Sequence, residues 1–188
     1  MVRAFATIAL ALALLGAGPV RADDTLWDAL ADGGHVALMR HARAPGTGDP
    51  GHFRLDDCST QRNLDQAGRD QARRTGAVFR ERSVPIARVL SSQWCRCLET
   101  ARLLALGEVE PMAALNSFFA ERAREPAQSA DVRAFLAAAD ADGPSLVVVT
   151  HQVNITALTG IYPASGEMVV LRLGGPGIFD VRGTIAPL

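Results

Sequence analysis

The segment VALMRHARAPG, residues 36–46, holds the first strong structural signal of this chain. Its apolar half is typical of a buried strand from His35 to Arg40, and that strand ends abruptly in the basic cluster RHAR (40–43) before a Pro-Gly break. A second segment, LVVVTH (146–151), repeats the arrangement, with His151 directly after a continuous apolar strand. Residues that follow parallel strands meet at one edge of a sheet. We therefore predict that His41 and His151 lie close together.

Short apolar runs alternate with amphipathic stretches along the rest of the chain, which is typical of an α/β domain. Asp65 is a good N-cap for a helix that runs to about Ser83. Near-continuous apolar strands indicate a sheet covered on both faces, so we predict a three-layer α/β/α sandwich with a mostly parallel central sheet. The remaining predicted elements are strands at Ala87–Ser91, weakly between Glu110 and Asn116, at Ser145–Thr150, Met168–Leu173 and Phe179–Ile185, and helices at Trp94–Leu106, Ala130–Ala139 and about Asn154–Gly160.

The N-terminus is predicted to be a secretory signal. Arg3 precedes an apolar run from Phe5 to Leu15, and Val20-Arg21-Ala22 ends in the small residues that signal peptidase accepts. An uncleaved anchor is the alternative, but the run is shorter than the ~20 apolar residues that span a bilayer. We expect residues 1–22 to be cleaved and residues 23–188 to form a single periplasmic or secreted domain.

Charge argues against some partners of the mature chain. Without Arg3 and Arg21, 17 arginines face 20 acidic residues, and the arginines are scattered. Neither nucleic acid nor stable insertion into a membrane is expected. All 19 basic residues are arginine. Codon bias explains this, yet any anion site must then consist of guanidinium and imidazole groups, which suit tetrahedral oxyanions.

The three cysteines allow one disulfide in an oxidising compartment. Cys58 with either Cys95 or Cys97 closes a long loop, whereas Cys95 and Cys97 face different ways on a helix. Their spacing fits no zinc site, and we predict neither a metal nor an organic cofactor.

Three motifs resemble the histidine phosphatase superfamily, which has the phosphoglycerate-mutase-like fold. They are RHA after the first strand, SQWCRCLETA (92–101) after the second, and VVTHQ (148–152) near the end. NLDQAGRDQA (63–72) resembles the helix start that lies between the first two. The ordered match spans residues 36–160.

The resemblance implies a metal-independent phosphatase in which His41 attacks phosphorus and forms a phosphohistidine. It implies that Arg40 and Arg96 hold the phosphoryl oxygens and that His151 donates to another of them. Arg43 and Gln152 complete the predicted substrate-binding set.

The chain also departs from the family pattern. Ala42 replaces the usual Gly, and Gln152 stands where the acid-phosphatase branch has its proton-donating Asp. Asn116 and Ser117 occupy the region of the mutase-type Glu. Glu121 is our first candidate for the general acid and Asp57 the second. A substrate with a good leaving group, such as a phosphoramidate, needs less proton donation.

The cysteines resemble those of an exported bacterial subgroup, which suggests that a Cys58–Cys95 disulfide fixes one wall of the pocket beside Arg96. The expected substrate is a phosphorylated small molecule or an envelope glycan phosphate. The alternative is a non-catalytic envelope protein that binds phosphate groups in the same pocket. A mutase or a metal hydrolase is less favoured, because the mutase loop residues and paired carboxylate ligands are absent.

Overall fold

A computed structural model describes residues 22–174 and 178–188; the predicted signal peptide lies outside the described residues except for Ala22. The strands are β1 (His35–Arg40), β2 (Ile86–Ser91), β3 (Val109–Pro111), β4 (Ser145–Thr150), β5 (Met168–Leu173) and β6 (Phe179–Ile185). The helices are α1 (Ala22–Asp32), α2 (Gln66–Glu81), α3 (Cys95–Leu104), α4 (Glu125–Ala137) and α5 (Gln152–Thr159).

The described strands form one sheet in the order β3-β2-β4-β1-β5-β6. The four strands β3, β2, β4 and β1 are parallel, and β5 and β6 are antiparallel additions at one edge. Arg40 at the end of β1 lies opposite Thr150 at the end of β4, and Ser91 of β2 lies opposite Val149. The ends of β1, β2 and β4 therefore meet at one rim, and the prediction that the strands before His41 and His151 end at the same edge of the sheet is confirmed.

Alternate residues of the central strands enter two separate cores, because successive side chains of a strand face opposite sides of the sheet. Ala37 and Met39 of β1 pack with α1, α2 and α3, whereas Val36 and Leu38 pack with α4 and α5. The sheet is thus covered on both faces, and the predicted three-layer sandwich is confirmed.

Some boundaries differ from the predictions. Helix α1 was not predicted; its Trp27 packs edge-on against Phe79 of α2, with ring centroids 4.8 Å apart. Helix α4 begins at Glu125 rather than Ala130, because Pro126 is tolerated in a first turn, where its missing N–H has no partner to lose. None of the helices in residues 22–174 and 178–188 has both the length and the apolar character that a membrane span requires.

Candidate active site

A cavity of about 730 Å³ opens at the rim where β1, β2 and β4 end. It is lined by both histidines and by side chains of the long loop between β1 and α2. Its polar and charged lining residues include Arg40, His41, Asp49, Arg62, Arg96, Glu121, Arg124, His151 and Gln152.

His41 is buried directly after β1, with 2% of its surface exposed. Its backbone N–H continues the sheet by donating to the carbonyl of Thr150 at 2.9 Å. Nδ1 lies 2.8 Å from the carbonyl oxygen of Ala42, which can only accept, so the ring proton of the neutral form is on Nδ1. Burial and the nearby charge of Arg96 lower the pKa of His41 to about 3. His41 therefore offers a neutral imidazole with its lone pair on Nε2.

His151 lies beside His41, with ring centroids 5.5 Å apart. It is 3% exposed, and burial, followed by Arg96 and His41, holds its pKa well below the ordinary value. Nε2 of His151 lies 2.9 Å from Oγ of Ser92, the residue directly after β2. The structure thus brings together the two histidines that the sequence predicted to meet.

Arg96 occupies the first turn of α3 and is 3% exposed. Its two Nη groups pair with the carboxylate of Asp49, at 2.6 Å to Oδ1 and 3.0 Å to Oδ2. Arg40 is half-buried and donates from Nη1 to the carbonyl of Pro163 at 2.9 Å. Both arginines line the cavity next to the histidines.

Arg62 and Asp49 line the cavity, and sequence reasoning assigned a role to neither. Arg62 donates from Nε to the carbonyl of Gly48 at 2.9 Å and also binds the carbonyl of Ala44. Burial, then the charge of Arg96, lowers the pKa of Arg62, yet a guanidinium stays charged at neutral pH. The available signal was the unusual length of the loop, which marks it as functional without showing which of its side chains turn inward.

Helices α2 and α3 hold the chain that follows His41. The backbone N–H of Ala42 donates to Oγ1 of Thr100 at 3.1 Å, and that of Arg43 donates to Oε1 of Gln71 at 3.0 Å. A Cβ atom at Gly68 would lie 2.0 Å from the carbonyl oxygen of Arg43, so only glycine allows this close approach. The motif residues of α2 and α3 therefore fix the position of the backbone directly after His41.

A disulfide joins Cys58 of the long loop to Cys95, the residue before Arg96. Cys97 is free and buried in the core, where burial raises the pKa of its thiol to about 12. The disulfide chosen from the resemblance is confirmed. It ties the loop that carries Asp49 to the helix turn that carries Arg96.

Of the other predicted site residues, Glu121 and Gln152 line the cavity, whereas Arg43 and Asp57 do not. The side chain of Glu121 is 69% exposed, and its Oε2 lies 3.8 Å from Nη1 of Arg124. Nε2 of Gln152 donates to Thr156 at 2.8 Å. The structure does not bring Arg43 to the cavity lining: its side chain is 62% exposed and pairs with Asp65 at 3.1 Å. Asp57 caps the short helix at Cys58–Thr60 and is also not part of the lining.

Comparison with known proteins agrees with this geometry. The family profile described as histidine phosphatase superfamily (branch 1) matches residues 36–124, which include RHA and the Arg96 motif. Residues 36–124 therefore match the histidine phosphatase superfamily. No curated protein sequence matches it significantly.

Solved structures share the fold of this chain. The protein histidine phosphatase SixA, complexed with tungstate, has a TM-score of 0.60 at 19% identity, over 81% of this chain and 97% of that one. A mycobacterial glucosyl-3-phosphoglycerate phosphatase has a TM-score of 0.59 at 16% identity, over 82% of this chain and 99% of that one. At such identities these likenesses establish the fold.

The buried state of His41 predicts a specific loss of stability in acid. The unfolded residue binds a proton near its ordinary pKa of 6.5, whereas the folded residue does so only near its pKa of about 3. Between these values the unfolded chain binds more protons, so the free energy of unfolding falls as the pH falls. Between pH 7 and pH 5, we expect the free energy of unfolding of wild type to fall by about 2 kcal/mol more than that of His41→Asn.

Urea denaturation at both pH values measures this difference. His52→Asn, at an exposed position of the long loop, is the control for loss of an imidazole and should behave like wild type. Equal losses in wild type and His41→Asn would show that His41 is not held neutral.

Proposed function

We propose that the protein is an exported phosphatase that hydrolyses phosphomonoesters or phosphoramidates through a phosphohistidine on His41, without a metal ion. The observation that carries the proposal is the state of His41: it is a buried, neutral imidazole whose ring lines a cavity together with four guanidinium groups, and its lone pair is on Nε2. A neutral imidazole is a nucleophile, and the guanidinium groups suit the charge of the phosphoryl oxygens.

The first step forms the bond between Nε2 and phosphorus and breaks the bond from phosphorus to the leaving group. The imidazole becomes positively charged, and Nδ1–H, which donates to the carbonyl of Ala42, stabilises that charge. Arg40, Arg96 and His151 hold the phosphoryl oxygens, and Arg62 adds a further positive charge. Water then attacks phosphorus and breaks the bond from phosphorus to Nε2, which releases phosphate and restores the neutral imidazole. The carboxylate left by proton donation to the leaving group takes a proton from that water, so the acid is restored as well.

Glu121 is the proposed proton donor for the leaving group. Asp49 and Glu121 are the acidic residues in the described cavity lining, and Asp49 is paired with Arg96. Glu121 is an exposed residue of that lining, and we place the leaving group of a bound substrate beside it. Leaving groups that need little protonation, such as the nitrogen of a phosphoramidate or an aryl oxide, depend on it least.

The substrate is proposed to be a phosphorylated small molecule or an envelope glycan phosphate. One structural neighbour is described as a glucosyl-3-phosphoglycerate phosphatase and another as a protein histidine phosphatase, so the same fold serves both kinds of phosphoryl bond. The large cavity supports an organic group beyond the phosphoryl group.

Export is supported by two features. Residues 1–22 have the charge and apolar pattern of a signal peptide, and a disulfide closes the active-site loop.

If the signal is cleaved, the exported single domain begins at Asp23, and N-terminal sequencing of the native protein should find Asp23 as its first residue. Met1 at the N-terminus of the native protein would contradict cleavage.

Hydrolysis of an aryl phosphate by residues 23–188 in the presence of EDTA tests the reaction. Wild type should stay active, because every proposed catalytic group is a side chain. His41→Ala should lose about three orders of magnitude or more in kcat/KM, since it removes the nucleophile. His52→Ala, which changes an exposed histidine on the same loop, should retain wild-type activity.

Two results would contradict the proposal. Activity abolished by EDTA and restored by a divalent metal would show a metal-dependent reaction. An inactive wild type that still binds phosphate would favour the non-catalytic envelope protein instead.

The role of Glu121 has its own test. Glu121→Gln should lower kcat at least tenfold for an alkyl phosphate, whose leaving group must be protonated, and much less for p-nitrophenyl phosphate. Glu108→Gln, at an exposed position that is not part of the cavity lining, is the matched control. Equal losses on both substrates would exclude Glu121 as the proton donor.

A further inference from the structure

Asp49 has a complete set of hydrogen bonds. Oδ1 accepts from Nη1 of Arg96 at 2.6 Å and from the backbone N–H of Arg62 at 3.1 Å. Oδ2 accepts from Nη2 of Arg96 at 3.0 Å and from the indole N–H of Trp94 at 3.1 Å. The Asp49 side chain is 16% exposed and that of Arg96 is 3% exposed. This is a buried, two-pronged ion pair inside the cavity.

The pair keeps Asp49 ionised. Burial alone would raise the pKa of its carboxyl group. The hydrogen bonds and the charge of Arg96 lower this pKa, as do the hydrogen bonds from the backbone of Arg62 and the indole of Trp94, and on balance the pKa is lowered. An ionised carboxylate has no proton to give. In this arrangement Asp49 acts on Arg96 rather than on the leaving group.

Two buried donors remain without a partner in the described part of the chain, and both belong to the arginines assigned to phosphate. They are Nε of Arg96 and Nε of Arg40. The Nη1 groups of both arginines are already engaged, by Asp49 and by the carbonyl of Pro163 respectively. A buried N–H without an acceptor is costly, so each calls for an explanation.

We propose that Asp49 is a positioning residue, which stays paired with Arg96 and leaves the Nε edge of that guanidinium for the phosphoryl group. This inference rests on the proposed function. A guanidinium presents five N–H donors in a fixed plane. Once Asp49 occupies the edge formed by the two Nη groups, the Nε–H edge is the one left for a second anion.

The hydrogen bonds explain why Asp49 stays. If it left, the indole N–H of Trp94 and the backbone N–H of Arg62 would lose their acceptor in a largely buried place. The charges give a second reason. Four arginines (Arg40, Arg62, Arg96 and Arg124) and two acidic residues (Asp49 and Glu121) line the cavity, and their formal net charge of +2 suits a phosphate dianion.

Binding of inorganic phosphate, followed by calorimetry without turnover, tests the proposal. We expect Asp49→Ala to raise the Kd at least tenfold, because Arg96 is no longer held. Asp49→Asn keeps one accepting oxygen without the charge and should lie between Ala and wild type. Asp56→Asn, at an exposed position on the same loop, makes the same chemical change outside the cavity and should bind like wild type.

Kinetics separate positioning from proton donation. Asp49→Asn should lower kcat/KM by the same factor for an aryl and an alkyl phosphate, with the basic limb of the pH profile unchanged. A selective loss on the alkyl phosphate, with the basic limb altered, would show that Asp49 donates the proton and would overturn the proposal.

Tighter phosphate binding by Asp49→Asn would also overturn the proposal, since it would show that the carboxylate competes with phosphate for Arg96.

The binding measurement does not depend on catalysis. A wild type that binds phosphate but hydrolyses nothing would therefore refute the proposed function, while the Asp49 variants would still decide this inference. Far-UV circular dichroism identifies a variant that does not fold, and Asp49→Asn then replaces Asp49→Ala.

Discussion

The parallel pairing of β1 with β4 is the constraint on which the site depends. It places Arg40 opposite Thr150, so that His41 and His151 leave the sheet side by side. The hydrogen bond from the backbone of His41 to Thr150 extends the ladder by one residue and buries the imidazole. Burial then keeps both rings neutral. One topological fact thus provides both the position and the reactive state of the proposed nucleophile.

Positive charge is concentrated around these neutral rings, and the fold must hold it there. Arg96 is almost fully buried, which is tolerated because Asp49 binds it through two hydrogen bonds. The Cys58–Cys95 disulfide and the indole of Trp94 connect the same loop and helix at neighbouring positions. The loop between β1 and α2 is therefore a wall of the site that is bonded to α3 at several points.

The sequence predicted the parts of the site that regular structure places. His41 and His151 follow apolar strands, and Arg96 lies in a motif with fixed helical spacing, so each could be located before the structure was known. Asp49 and Arg62 could not, because a loop rich in Gly and Pro has no periodicity that shows which side chains turn inward. For the same reason Arg43, only two residues after His41, was predicted to reach the substrate but lies outside the cavity lining.

The central claim is that His41 forms a covalent bond with phosphorus, and trapping that species tests it most directly. Wild type mixed with radiolabelled phosphomonoester and quenched in alkali should carry label on a peptide that contains His41, and the label should be lost in acid, as a phosphoramidate is. His41→Ala should carry none. Label that survives acid, label on another residue, or turnover by wild type without any labelled protein would contradict the account.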